Sequence, residues 1–335
     1  MTHLPPVAAL LERAHVVSIP MRVRFRGVDV REAVVFEGPS GWGEFAPFPE
    51  YDDAESARWL AAGIEEAYAA RPAPVRDVVP VNATVPAVPP EDVPGVLSRF
   101  EGCMTAKVKV AERGQTLRDD LDRIAAVRDA MGARARIRID ANGAWDVETA
   151  TEALRRSAAY GIEYAEQPCA TVDELAELRR VLARSAIEVP IAADESIRKA
   201  EDPLLVARKE AADLVVVKVA PLGGVTAALQ IVEACGLPAV VSSALDTSVG
   251  ISAGVALAAA LPSLEHACGL GTVGLFTTDV AAEPMRPRAG VLRPRRITPD
   301  PEALSVLAAS PERQAWWRDR LARCHRLLDR TGARR

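Results

Sequence analysis

Ala106-Lys107-Val108-Lys109-Val110, Ile137-Arg138-Ile139-Asp140, Ile162-Glu163-Tyr164-Ala165-Glu166 and Pro190-Ile191-Ala192-Ala193-Asp194 follow one another through the middle of the chain, each with charge at or beside its C-terminal end. Between these short, apolar-rich runs lie longer stretches with helical spacing. The series extends outward to Val81-Asn82-Ala83-Thr84-Val85 on one side. On the other it continues through Leu214-Val215-Val216-Val217-Lys218, Pro238-Ala239-Val240-Val241-Ser242 and Leu264-Glu265-His266-Ala267. A repeat of roughly 25 to 30 residues is the length of a strand, a helix and two short loops, so the pattern predicts parallel βα units. Eight such units can close into a (β/α)8 barrel. An open doubly wound sheet is the alternative, but it gathers its ligand at one switch point and does not draw on nearly every strand.

Outside this repeat the chain reads differently. Val16 to Glu44 predicts antiparallel strands with turns at Arg26-Gly27 and Gly38-Pro39, and a helix is expected from about Asp53 to Ala70. The expected organisation is an α+β capping domain over residues 1–80, a barrel over 81–280, and a segment over 281–335 that returns to the cap. Within that last segment a helix near Pro311 to Asp329 carries Arg313, Arg318, Arg320, Arg323 and Arg326, with Trp316 and Trp317 as its anchors. Glu312, Asp319 and Asp329 interrupt the basic run, and no exposed aromatic sheet accompanies it. This argues for a terminal helix and against a nucleic-acid surface.

The 335 residues are 49% apolar and 26% charged, the balance of a protein with a large core. A formal net charge of -5 gives no general attraction for nucleic acid or anionic membrane, so an anionic substrate needs a local cluster of cations. Five scattered cysteines without CxxC spacing argue against a disulfide framework or a zinc site and favour a reducing cytoplasm. Pro5, Pro6, Glu12, Arg13 and His15 break the apolar run that an export signal needs. The apolar stretch from Gly250 to Leu261 is too short to span a membrane and predicts a buried helix.

Chemistry concentrates at the strand ends. Residues two apart on a strand share a face, so Lys107 and Lys109 project together. Alternating lysines on an ordinary strand mark a solvated face, but a barrel strand is covered on both sides, and paired lysines then belong at its open end. Asp140, Glu166 and Asp194 end three successive strands; three converging carboxylates call for a cation, and oxygen ligands without nearby His or Cys favour Mg2+. Helix caps or surface acids are the alternative explanation. Lys218 ends the sixth strand, across the barrel from the lysine pair. Mutual repulsion among these cations is expected to lower their pKa values, so that a neutral amine can serve as a base. Proton removal beside a carboxylate builds an enediolate whose charge a divalent cation stabilises.

Taken in order, Gly41-Trp42-Gly43-Glu44, Lys107-Val108-Lys109, Asp140-Ala141-Asn142-Gly143, Glu166-Gln167-Pro168, Asp194-Glu195-Ser196 and Lys218-Val219-Ala220-Pro221-Leu222-Gly223-Gly224 resemble the enolase superfamily in its muconate lactonizing enzyme subgroup. The resemblance spans nearly the whole chain and implies a modified TIM barrel with an N-terminal cap. It implies Mg2+ on Asp140, Glu166 and Asp194, Lys109 as the base that removes an α-proton, Lys107 as its assistant, and Lys218 on the opposite face of a small-molecule carboxylate substrate. Arg138 and Asn142 share a face with Asp140, and with Glu195 they are expected to support the metal carboxylates, although packing explains Arg138 equally well. Ser242 and Ser243 are candidates for contacting the substrate, or else for capping the following helix. His3, His15, His266 and His325 include no strand-seven histidine base, and the eighth run lacks the Asp-x-Asp of dipeptide epimerases. The resemblance implies a syn-dehydration, toward which these absences narrow the choice, with racemisation or cycloisomerisation as alternatives, and a non-catalytic anion- or metal-binding barrel as the reading of another class. The segment from Pro20 to Arg31, which corresponds to the family's substrate-covering loop, is short. The sequence does not indicate an oligomeric state.

Overall fold

The computed structural model describes residues 4–25, 27–199 and 202–332. His3, Arg26 and the last three residues of the basic tail lie outside them. Three antiparallel strands, β1 (Ala14–Phe25), β2 (Val28–Gly38) and β3 (Gly41–Phe45), pair in the order β1-β2-β3, and the helix α1 (Asp53–Tyr68) packs on them. Asp52 caps α1 by accepting the Glu55 amide at 2.7 Å.

The barrel strands are β4 (Ala83–Val85), β5 (Thr105–Lys109), β6 (Arg136–Asp140), β7 (Ile162–Glu166), β8 (Ile191–Ala193), β9 (Leu214–Val217) and β10 (Ala239–Val241), parallel and in sequential order. Their return helices include α2 (Leu117–Met131), α3 (Val147–Ser157), α4 (Val172–Arg184), α5 (Val225–Cys235) and α6 (Ser248–Ala260). Thr116 with Asp119, and Thr171 with Glu174, form capping boxes that start α2 and α4 just after their loops.

The eighth run requires a correction. Leu264–Ala267 forms no strand; the seam is closed instead by Cys268, which bridges Val81, and Gly269, which bridges Ser242. Leu264, Glu265 and His266 are at least partly exposed, whereas Cys268 is fully buried, so the chain enters the wall one step later than its apolar pattern suggested.

Side-chain parity sorts the barrel into an inside and an outside. Tyr164, Ala192, Leu214, Val216 and Val240 form an apolar cluster of their own, while Ala165, Ile191, Ala193, Val215, Val217 and Val241 join the larger core under the helices. Continuing the inner parity to the C-terminal ends of the strands gives Glu166, Asp194, Lys218 and Ser242, so the polar residues sit directly above the apolar plug.

The final helix, α7 (Pro311–Gly332), returns to the cap. Trp317 is fully buried against Phe45, Arg313 pairs with Glu32 at 2.6 Å, Arg320 donates to the Ser56 hydroxyl at 2.8 Å, and Arg323 pairs with Asp53 at 2.7 Å. Much of the basic charge of this helix is thus taken up within the protein. No helix among the described residues is long and apolar enough to cross a membrane.

Candidate active site

Strand register assembles the site. Lys109 stands opposite Asp140 on the neighbouring strand and Asp140 opposite Glu166, which places all three on one tier; Lys107 lies one tier below, opposite Arg138 and Thr84. Asp194 and Lys218 follow β8 and β9 by one residue and complete the ring. All these acids and lysines are buried, with no more than 7% of any of them exposed.

The ammonium groups stand between the carboxylates. Lys107 Nζ lies 2.8 Å from Glu166 Oε1 and 3.0 Å from Asp140 Oδ2; Lys109 Nζ lies 2.5 Å from the same Asp140 oxygen and donates to Asn142 Oδ1 at 2.6 Å. Lys218 Nζ lies 2.5 Å from Asp194 Oδ2, whose other oxygen accepts from Arg198 at 3.1 Å. Among the described residues no three acid, His or Cys side chains converge on one point as they are placed here. The expected carboxylate triad is present on the right strands, but lysines are interleaved with it.

Burial and charge act in opposition on these groups. For Asp140 burial would raise the pKa, but Lys109 and Lys107 outweigh it and hold the carboxyl well below the usual range. Burial likewise opposes ionisation of Asp194, yet Lys218 and Arg198 bring it down to about 2. Glu166 is pushed up to about 7 by burial and by the neighbouring Asp140. Burial, reinforced by Lys107, lowers Lys109, and burial, reinforced by Arg198, lowers Lys218. Lys107 departs from expectation: burial pulls it down, but Glu166 and Asp140 together raise it, so it is a fixed cation. Mutual repulsion is therefore not the main cause of lowered lysine basicity; desolvation is.

Asn142 touches Asp140 directly, whereas Glu195 touches Asn142 and Arg198 but none of the three carboxylates. The Asn142 amide nitrogen of the backbone donates to Asp140 Oδ1 at 3.1 Å, and its side chain donates to Glu195 Oε1 at 3.2 Å; Glu195 in turn pairs with Arg198 at 2.6 Å. Arg138 does not support the carboxylates. It is fully buried below them, pairs with Glu163 at 2.6 Å, donates to Asn82 and to the Ala267 carbonyl at 3.3 and 2.6 Å, and stacks over Tyr164. His266 joins the same lower network through Glu163 at 2.9 Å. Parity put Arg138 inside the barrel correctly, but its side chain turned toward the other end.

Lys107, Lys109, Asp140, Asn142 and Lys218 share one cavity with Ser242 and Ser243. Ser243 Oγ donates to the Gly269 carbonyl and lies 2.8 Å from Thr272 Oγ1, and the helix cap is provided by Thr247, so the capping role suggested for the two serines falls away. The sequence reading missed Phe25, Thr84 and Thr272 in the cavity wall. Thr84 was accessible by parity, since it aligns with Lys107. Phe25 comes from the end of β1 and lies over Lys109 Nζ at 5.3 Å, and β1 is tied to the barrel by Arg22, which donates to the carbonyls of Phe276 and Thr277 at 2.9 and 3.0 Å. Even this short covering hairpin reaches the site.

Comparison with known proteins gives a consistent picture. The Enolase C-terminal domain-like family matches residues 97–300 and the Enolase N-terminal domain-like family residues 16–67. The chain is 57% identical over 326 residues to o-succinylbenzoate synthase of Mycobacterium tuberculosis strain H37Rv, covering 97% of each chain, and 58% identical over 322 residues to that of Mycobacterium marinum, covering 96% of each. In fold it is similar to the muconate lactonizing enzyme of Pseudomonas fluorescens, with a TM-score of 0.74 at 22% identity, over 89% of this chain and 98% of that one.

Proposed function

Because the chain belongs to the enolase superfamily and, within it, to the o-succinylbenzoate synthase family, we propose that it dehydrates 2-succinyl-6-hydroxy-2,4-cyclohexadiene-1-carboxylate to o-succinylbenzoate with Mg2+, as a step of menaquinone biosynthesis. The observation that carries this reading is the buried tier of Lys109, Asp140 and Glu166, completed by Asp194 and Lys218. Five free cysteines fit a reducing cytoplasm as its location.

Asp140, Glu166 and Asp194 fit a divalent metal by the chemistry of the donor set: carboxylate oxygens alone, buried, on three successive strands, with excess negative charge now balanced by ammonium groups. Mg2+ held there supplies positive charge beside the substrate carboxylate, where negative charge grows as the proton leaves. Asn142 orients both Asp140 and Lys109, and Arg198 fixes one oxygen of Asp194.

Lys109, the amine of the pair whose pKa is lowered overall, with burial the main cause, takes the α-proton. The electron pair released becomes the enediolate. It then expels the β-hydroxyl, and the proton that Lys109 carries goes to that leaving oxygen to give water, so Lys109 ends the cycle neutral. Lys107 remains charged and binds the carboxylate side, while Lys218 supplies positive charge on the opposite face. Ser242 and Ser243 line the wall where the rest of the substrate lies.

Incubating the purified protein with the cyclohexadiene substrate and Mg2+ tests the proposal through the loss of ultraviolet absorbance. Turnover should vanish with a chelator and return with added Mg2+. A folded, metal-loaded sample that leaves the substrate untouched rules the dehydration out, and racemisation of an N-acylamino acid or muconate-type cycloisomerisation would then be assayed on the same site.

A further inference from the structure

Glu44 ends the Gly41-Trp42-Gly43-Glu44 motif, and the chemistry above makes no use of it. Its position depends on a close contact within the cap. A Cβ on Gly43 would come 2.0 Å from the Gly63 carbonyl, and one on Gly63 would come 2.6 Å from the Glu44 carbonyl, so both glycines are required for α1 to press on β3. The Glu44 carboxyl reaches the N-terminus of α6 and is buried there. It accepts the Thr247 amide at 3.1 Å, the Thr247 hydroxyl at 2.5 Å and the Gly250 amide at 3.0 Å. A carboxyl group there meets otherwise unpaired N–H groups and the positive end of the helix dipole.

The cap holds α6 at more than one point. Arg71, paired with Glu66 at 2.7 Å, donates to the Ser252 hydroxyl, and Arg76 donates to the Ala258 carbonyl at 2.5 Å. The loop joining β10 to α6 contains Ser242, Ser243, Ala244 and Leu245, all of which line the substrate cavity. Arg31 of β2 reaches this loop too, donating to the Leu245 carbonyl at 3.0 Å and the Ala244 carbonyl at 3.3 Å. The loop is therefore fixed at its start by the barrel seam and at its end by the cap.

From this arrangement we infer that Glu44 is a positioning residue, through which the capping domain sets the shape of the Ser242–Leu245 wall and hence the affinity for substrate. The inference rests on the dehydration proposed above for its kinetic readout. The cavity wall and the helix that follows it are both tied to the cap: Arg31 bonds the wall at Ala244 and Leu245, and Glu44 bonds Thr247 and Gly250, where the wall runs into α6.

Three variants test it: Glu44→Ala, Glu44→Gln, which keeps the acceptor oxygen and the shape, and Thr247→Val, which removes only the hydroxyl. Steady-state kinetics at saturating Mg2+ should show KM raised about tenfold in Glu44→Ala with kcat within about threefold, because one or two buried hydrogen bonds to the Glu44 carboxyl are lost while the lysines and the three acids of the site are left unchanged. Glu44→Gln should restore KM to within about threefold of the wild type, and Thr247→Val should fall between the two. Amide hydrogen exchange at Ala244 and Thr247 should quicken in Glu44→Ala and recover in Glu44→Gln, a readout that needs no turnover. A folded Glu44→Ala protein with unchanged KM and unchanged exchange overturns the inference, as does a fall in kcat alone. Should Glu44→Ala not fold, unchanged KM and exchange in Thr247→Val overturn it. Failure of the wild type to turn over would count against the proposed reaction, while the exchange result would still decide the role of Glu44.

Discussion

The barrel mouth and the joint between cap and α6 both bury several carboxyl groups, but they balance them in opposite ways. At the mouth Asp140, Glu166 and Asp194 are matched by lysine ammonium groups and Arg198 at 2.5 to 3.1 Å. At the joint Glu44 accepts backbone amides and a hydroxyl, Asp246 accepts the Ala244 amide at 3.2 Å and Asp279 accepts the Ser248 amide at 3.1 Å, with the Arg31 guanidinium acting on both Glu44 and Asp246. Asp140 and Asp194 therefore stay ionised while Glu44, pushed up to about 8, Asp246 and Asp279 are all raised, burial being the largest cause in each. Mobile cations on long stems can withdraw and leave carboxylates for a metal or substrate; amides cannot. The first arrangement suits chemistry and the second suits holding two domains in one relation.

The largest effect expected from this contrast is at the mouth. Lys109→Ala should lower kcat by about 10²- to 10⁴-fold, the range for losing a general acid–base group, while circular dichroism and Mg2+ binding stay close to wild type. Asp140 keeps Lys107 as a partner in this variant, which is why the fold should persist. Substantial turnover in Lys109→Ala would move the base to Lys218 and undo the proposed division of labour.

A third buried charge group, below the site, should behave as pure structure. Arg138 is fully buried with Glu163, Asn82 and the Ala267 carbonyl as partners, so Arg138→Met should cost about 3 kcal/mol in urea denaturation, as expected when one member of a buried pair is removed. The folded fraction should keep kcat within about threefold, since among the described residues Arg138 makes no hydrogen bond or ion pair to the lysines or to Asp140, Glu166 and Asp194. A kcat loss beyond that would return Arg138 to the support of Asp140 that its strand parity suggested.

These three groups differ in how plainly the sequence announced them. Parity and strand spacing are local properties, so Lys107, Lys109, Asp140, Glu166, Asp194 and Lys218 were legible, and with them the barrel class. The direction in which a long side chain turns was not: Arg138 has the same inward parity as Asp140 but reaches downward to Glu163. The eighth strand was misplaced because Leu264 to Ala267 has an apolar composition without the burial, and closure depends on Cys268 and Gly269 meeting strands at both edges of the sheet. Glu44 lies 203 and 206 residues from Thr247 and Gly250 in the chain and meets them only through tertiary packing, so the motif could be quoted without revealing what it holds. Phe25 was invisible for the same reason, since nothing local places the end of β1 over Lys109.

The smallest effect is the one that separates the two carboxyl regions most directly. Glu44 has a folded-state pKa raised from the ordinary carboxyl value to about 8, by burial first and the adjacent Asp246 second, with Thr247, Gly250 and Arg31 acting the other way. A carboxyl group raised on folding binds more protons in the folded than in the unfolded state between those two values, so its contribution is fully present below about 4.5 and is lost as pH rises toward about 8. Wild-type stability should therefore decline over that window. Glu44→Gln, permanently neutral and of the same shape, should decline less between pH 5 and pH 8. Both proteins are compared in saturating Mg2+, so that the ligation proposed for Glu166 is the same in each and its own elevated pKa does not enter the difference. Parallel pH profiles for the two proteins would mean that Glu44 stays ionised in the joint, and that the helix amides, the Thr247 hydroxyl and Arg31 together balance a buried carboxylate there as well as the lysines do at the mouth.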